Sequence, residues 1–223
     1  MQKTFAVSTV LLAAMLPWQA NAGTINFSFA GSGASGTITL TYGTATDGKY
    51  SQAFEVTGIS GTFSDTNNGL NIVNATIGQL VPINYATPEA TNLLAPLDFS
   101  LFPVAAGLPP GNNGHLSYDN LFYPGGSPQT ASDYPGQGGI LDIYGLLFNI
   151  GGGRVVNLWS NGNFGSGPID YGVAVATSNT SLDYVSGDVS ITPEPGTFGL
   201  LGSVLLGMLV WRRASRSEAA LKK

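Results

Sequence analysis

The sequence predicts an all-β fold, an antiparallel β-sandwich of jelly-roll type, and three observations carry that prediction. Between residues 23 and 192, apolar, aromatic and β-branched side chains alternate with polar ones at a period of two, which sends one set to each face of a strand. The alternating stretches are separated by Gly, Asn and Asp pairs, whose backbones reach turn conformations that other residues resist. A 3.6-residue apolar period is nearly absent from the same span. Many short strands joined by tight turns give a two-layer sandwich, with barrel-like closure as the near alternative.

Taken in order, residues 24–29, 36–42 and 53–57 alternate, and turn signals stand at Asp47-Gly48, Thr57-Gly58 and Asn67-Asn68-Gly69. Strands are next expected over 71–77, 139–150, 155–159, 169–177 and 182–191, with turns at Gly125-Gly126, Gly138-Gly139, Gly151-Gly152-Gly153 and Ser186-Gly187. Nine prolines between Pro82 and Pro135 withhold backbone donors, so a long Pro/Gly-rich excursion is expected there in place of central strands. Aromatics spread through it, among them Phe99, Phe102, Tyr118, Phe122 and Tyr123, predict that it packs down on the sheet.

The two ends read as transport signals. Residues 1–22 carry Lys3, an apolar stretch over 5–16, Pro17 and then Ala20-Asn21-Ala22, the three regions of a secretory signal peptide with an A-x-A cleavage site. This predicts passage through the secretion machinery and a mature chain from Gly23. At the far end Pro193-Glu194-Pro195 precedes an apolar run over 196–211 and then Arg212, Arg213 and Arg216. The prolines hold the tripeptide extended and accessible, since neither a ladder nor a helix passes easily through them. In lipid the run satisfies its backbone only as a helix, and the arginines keep its end on the cytoplasmic side of the inner membrane. The expected organisation is a signal peptide (1–22), a β-sandwich ectodomain (23–192) and a tail (193–223) with one transmembrane helix.

Pro193-Glu194-Pro195, the Gly/Leu-rich span containing Phe198, Leu200, Leu201, Val204, Leu205 and Leu206, and the arginine cluster together resemble the PEP-CTERM sorting domain of Gram-negative bacteria. The resemblance covers roughly the last 30 residues, and its three-part order is more specific than any one part. It implies recognition by an exosortase-type processing enzyme of the inner membrane, cleavage near the tripeptide, and delivery to the cell surface or extracellular matrix. The sequence departs from the usual pattern by continuing through Ala214 to Lys223 after the arginines. Phrases within the body, such as residues 69–74, 141–146 and 170–175, resemble ectodomains found with this signal, and that resemblance implies no chemistry.

Within residues 23–192 two cations, Lys49 and Arg154, stand against eleven carboxylates, a net charge of −9. Such a surface repels phosphates, so nucleic acid is not an expected partner. There are no cysteines, which removes disulfides and thiolate metal sites. The single histidine, His115, sits in a loop context after Asn112-Asn113-Gly114, and no serine occupies a G-x-S-x-G elbow. One His without Cys does not make a usual zinc site. A cation site has one candidate: Asp65, Asn67 and Asn71 place side-chain oxygens around a glycine turn, as at the start of a calcium loop. An Asx-rich turn explains the same residues, and Thr76 stands where a closing glutamate would. Trp159 and Tyr171 serve equally as sugar-stacking or core residues, and Thr37, Thr39 and Thr41 share one strand face. The expectation is an exported, non-catalytic structural or adhesive protein, with extracellular polysaccharide as a partner and no cofactor beyond the calcium candidate. A secreted carbohydrate-binding module or carbohydrate-active enzyme is the alternative.

Overall fold

Eight strands joined as two meanders make one antiparallel sheet. The first meander is β1 (Gly23–Gly31), β2 (Ala34–Thr46), β3 (Phe54–Asp65) and β4 (Ile72–Ile77). The excursion contributes β5 (Ser100–Pro103), β6 (His115–Tyr118) and the short β7 (Leu121–Phe122). The second meander is β8 (Leu146–Gly151), β9 (Arg154–Gly162), β10 (Asp170–Thr177) and β11 (Thr180–Pro193). The computed structural model describes residues 22–46, 51–84, 99–105, 114–128, 138–163 and 167–194. The expected helix over 196–211, and the signal peptide up to Asn21, lie outside the described residues.

The strand order is β4-β3-β2-β1-β11-β10-β9-β8, with β7 paired to the start of β3. The first and last strands of the chain zip together, Phe27 opposite Pro193 and Ala30 opposite Ser190. Alternation then decides the interior. Phe27, Phe29, Ile38, Leu40, Phe63, Phe148, Leu158 and Val173 all point inward and are almost fully buried in one cluster. Eight strands enclose an interior just wide enough for side chains to fill, so this cluster is a packed core and not a channel.

The expected two-layer sandwich is therefore corrected to a single sheet, nearly closed on itself as a barrel. Sandwich and barrel bury the same residues of each strand. They differ only in whether the two outermost edges approach, and here the chain just past β4 reaches β8. Residues 78–81, just past β4, run beside β8: the Gly78 amide donates to the Asn149 carbonyl (2.8 Å), the Asn149 amide to Gln79 (2.9 Å) and the Val81 amide to Leu147 (2.8 Å). Leu80 lies opposite Phe148 in the same antiparallel sense.

One side chain completes this seam. Asn120, almost fully buried, donates its side-chain amide to the Val81 carbonyl (2.9 Å) and accepts the Leu147 amide on Oδ1 (2.9 Å). Its own N–H bonds the Gly145 carbonyl (2.9 Å) and its carbonyl accepts the Val56 amide (3.0 Å). The backbone there is left-handed (φ 53), which asparagine tolerates better than most residues. Gly145 (φ 61) completes the crossing, where a Cβ would meet the Leu158 carbonyl oxygen.

Several local expectations shift. Residues 139–145, read as strand, are bends and irregular backbone, and the ladder begins at Leu146. Thr57-Gly58 is no turn, because β3 runs through it with a register irregularity opposite Thr41 and Tyr42. Ser186-Gly187 marks an irregularity within β11. The excursion does pack down: Val104, Leu116 and Tyr118 cover Leu147, Val155, Trp159, Ala174 and Ala176 on the outer face of β8, β9 and β10. Those strands are consequently buried on both faces and read as apolar runs.

Replacing Asn120 with alanine orphans the buried Leu147 N–H and Val81 C=O together. Leaving each unsatisfied costs about 1–3 kcal/mol, so Asn120→Ala should destabilise by about 2–6 kcal/mol in urea denaturation. The exposed Thr41→Ala should lie within about 0.5 kcal/mol of the parent.

Candidate functional site

At one end of the barrel two interior positions carry carboxylates. Asp65 continues the inward row of Phe63 at the end of β3, and Asp183 points inward from β11 opposite Val175. Both are buried, and the two side chains lie within hydrogen-bonding reach of each other. A short 3-10 turn, Asn67–Gly69, caps them. The Asn67 and Asn68 side-chain amides donate to the two oxygens of Asp183 (3.0 and 2.6 Å), and the Asn67 backbone N–H donates to Asp65 Oδ1 (2.9 Å). Asp65 Oδ2 is buried with no donor. Burial, and then the neighbouring Asp183 carboxylate, push the Asp65 acid up to about 6 against the lowering effect of the Asn67 amide.

The structure thus brings Asp65 and Asn67 of the sequence candidate together, and adds Asn68 and Asp183. Asn71 is exposed and takes no part. Asp183 was not legible, because it lies more than 100 residues away on a different strand.

A second carboxylate knot lies where the excursion rejoins the sheet. Asp142, fully buried, accepts the Tyr144 and Gly145 amides on Oδ1 (2.9 and 3.1 Å) and the Tyr123 hydroxyl on Oδ2 (3.1 Å). Asp119 lies within hydrogen-bonding reach of it. Burial pushes the Asp142 acid above its ordinary range, while the Gly145 and Tyr144 amides, Asp119 and Tyr123 pull it back.

The remaining candidates separate by exposure. Trp159 is nearly buried, lies where a Gly172 side chain would otherwise stand, and contacts the Tyr184 ring at 5.2 Å. Tyr171 is interior and donates no face to solvent. Both are core residues. His115 is not in a loop but opens β6, opposite Pro103. Among the described residues no three His, Cys, Asp or Glu side chains converge on a metal position.

Thr37, Thr39 and Thr41 do face outward, and the ranks that one strand lacks are assembled across strands. Thr76, Thr62, Thr37, Ser28 and Thr192 stand opposite one another across β4, β3, β2, β1 and β11. The Thr37 and Thr62 hydroxyls bond at 3.1 Å, and Thr39 donates to Asn26 at 2.8 Å. Ser60, Thr39 and Asn26 form a parallel rank. No charged residue occupies these positions.

The sorting segment begins inside the sheet. The Glu194 N–H donates to the Asn26 carbonyl (2.9 Å), which makes that a bonded pair and the neighbouring Phe27–Pro193 pair a non-bonded one. The nitrogen of Pro193 therefore faces away from β1, on a side where β10 pairing has already ended at Val189. Proline is tolerated there because no ladder donor is needed. The expectation that no ladder passes the tripeptide is corrected for its first two residues, which are extended but paired. Pro193 also borders a mainly apolar cavity of about 410 Å³ lined by Gly139, Ile140, Ile169, Tyr171 and Ile191. Pro195, Arg212, Arg213 and Ala20 lie outside the described residues, and Ala22 is exposed just before β1.

The described residues define an all-β protein of barrel-like closure whose last strand runs into the tail. Residues 192–214 match the family model of the PEP-CTERM protein-sorting motif. That motif implies export, association with the cell surface and processing by exosortase. No curated protein and no solved structure matches the chain.

Two outcomes follow. A buried acid whose folded pKa is raised contributes stability that is full below its unfolded value and is lost as the pH rises through the folded value. Asp142→Asn keeps the acceptor for Tyr144 and Gly145, so its denaturation midpoint should match the parent near pH 4 and exceed it near pH 8. Replacing Pro193, Glu194 and Pro195 with alanines should leave the fold intact, because the new 193 amide faces the open side, yet block maturation. Fractionation and intact-mass measurement should find the full-length variant in the inner membrane; a normally processed variant would refute this.

Proposed function

We propose that the protein is a non-catalytic structural or adhesive component of the cell surface or extracellular matrix, placed there by its sorting tail, with the outer face of β4, β3, β2, β1 and β11 turned toward neutral polysaccharide. The observation that carries this reading is the uncharged hydroxyl and amide array on that face, within a body whose net charge is −9. Hydroxyls and amides both donate and accept, which matches the hydroxyls of a neutral sugar chain and gives no purchase to a polyanion. The tail supplies the location and the barrel supplies a rigid surface.

The enzyme alternative draws less support. Glycosidic carboxylates stand about 5–10 Å apart across an open cleft. The pairs Asp65–Asp183 and Asp119–Asp142 are in contact and buried. The aromatics suited to sugar stacking, Trp159 and Tyr171, are packed inward.

A glycan array of the purified protein, run with calcium and with chelator, should retain neutral polysaccharides over acidic ones. Thr37→Lys combined with Thr62→Lys should cut that retention at least about tenfold, the size of one or two lost hydrogen-bonded contacts. Retention unchanged in the double variant, or a blank array, would sink the assignment of this face.

A further inference from the structure

We propose that Asp65, Asp183 and the main-chain carbonyl of Ser32 form a binding site for one divalent cation of the calcium type that staples the end of the barrel, the Asn67 and Asn68 amides turning over on loading so that their oxygens replace the NH2 groups that face Asp183 and Ser32 here. Both carboxylates occupy interior strand positions, where apolar residues otherwise stand, and both are almost fully withdrawn from water. Their donors, the amides of Asn67 and Asn68, are neutral, so two negative charges share one desolvated place. Among the described residues no basic side chain acts on Asp65. Removing charges from water without a counter-charge is among the least favourable arrangements a protein can hold.

An independent feature points the same way. Asp65 Oδ2 is buried and has no donor, whereas the other oxygens of the pair are supplied by the turn. An orphaned anionic oxygen beside a second carboxylate has the disposition of a ligand atom lacking only its cation.

The surroundings supply neutral oxygens. The Asn67 side-chain amide donates to the Ser32 carbonyl (2.6 Å), which brings the tip of the β1–β2 hairpin against the cluster. The Asn67 Oδ1 lies where a Cβ on Gly33 (φ 83) would intrude, so a residue without a side chain forms that wall. The donor set is oxygen alone, mixing carboxylate, amide and carbonyl from three separate segments. Calcium accepts six to eight such ligands in flexible geometry, whereas magnesium demands a near-ideal octahedron and keeps its waters.

The consequence is mechanical. Residues 32 and 33, 65 to 68, and 183 belong to three separate segments brought together at this end. A cation bound to the folded state alone stabilises it by mass action, and extracellular modules of this class bind at about 0.1–1 mM. In a chain without cysteines, the site takes the stapling role of a disulfide and loads where calcium is plentiful, after export.

The test uses the purified protein stripped with chelator and then titrated with calcium chloride or magnesium chloride. Calcium at 10 mM should raise the unfolding temperature by about 5–10 °C, with magnesium much weaker, and calorimetric titration should give one site. Asp183→Asn and Asp65→Asn should each abolish the shift, while Asp188→Asn, an exposed position on the same strand, should keep it. If Asp65→Asn fails to fold, Asp183→Asn and Gly33→Ala decide the matter. No calcium response in the folded parent, an equal response in Asp183→Asn, or a stability that follows pH near 6 and ignores calcium would overturn the site and assign the pair a shared proton instead.

Discussion

The architecture depends on how β4, which ends at Ile77, and β8, which begins at Leu146, come to lie side by side with the whole excursion between them. The β4 and β8 meanders each carry their own local turns, and neither turn chemistry nor alternation obliges the two edges to meet. They are joined by residues 78–81 and by Asn120, whose side-chain amide bonds Val81 on one side and Leu147 on the other. A primary amide has one donor face and one acceptor face at the spacing of a peptide group, so it fills a rung where no backbone reaches. Its exchange of protein partners for water is modest in net energy, yet an unmade bond in that buried place is costly. The barrel has no long open edge because this seam exists.

Once the seam is closed, the excursion has one place to go. Its β5–β6 hairpin covers the outer face of β8, β9 and β10, while Asp119 and Asp142 tie its returning segment beneath the crossing at Gly145. The opposite wall, from β4 round to β11, is left facing solvent and carries hydroxyls and amides. One barrel thus has a buried side and an exposed side, and the exposed one is available for recognition.

The sorting segment is continuous with this framework. Because Glu194 still bonds Asn26, the barrel ends on the tripeptide itself, without an intervening linker. An enzyme that cuts there meets the last rung of the β1–β11 ladder, so the folded state of the barrel and access to the processing site are physically coupled. Strand ends fray most readily, so pairing at Glu194 is compatible with access to the tripeptide.

The sequence by itself located the strands of the barrel wall, although it ended β3 at Thr57 and began β8 at Gly139, because inward Phe27, Ile38, Ile72, Phe148, Leu158, Val173 and Val189 recur at the pleat period, and period two is a local property of an L-polypeptide. It also determined the sorting motif over residues 192–214, whose order along the chain is itself the signal. It did not distinguish sandwich from barrel, since both bury the same face of each strand. It named Asp65 and Asn67 through their turn chemistry, chose Asn71 where Asp183 stands, and left Trp159 and Tyr171 undecided between surface and core. Those matters were settled only by tertiary structure, for one physical reason: each depends on which residues distant in the chain are pressed together, and alternation reports the face a side chain takes but not its neighbour.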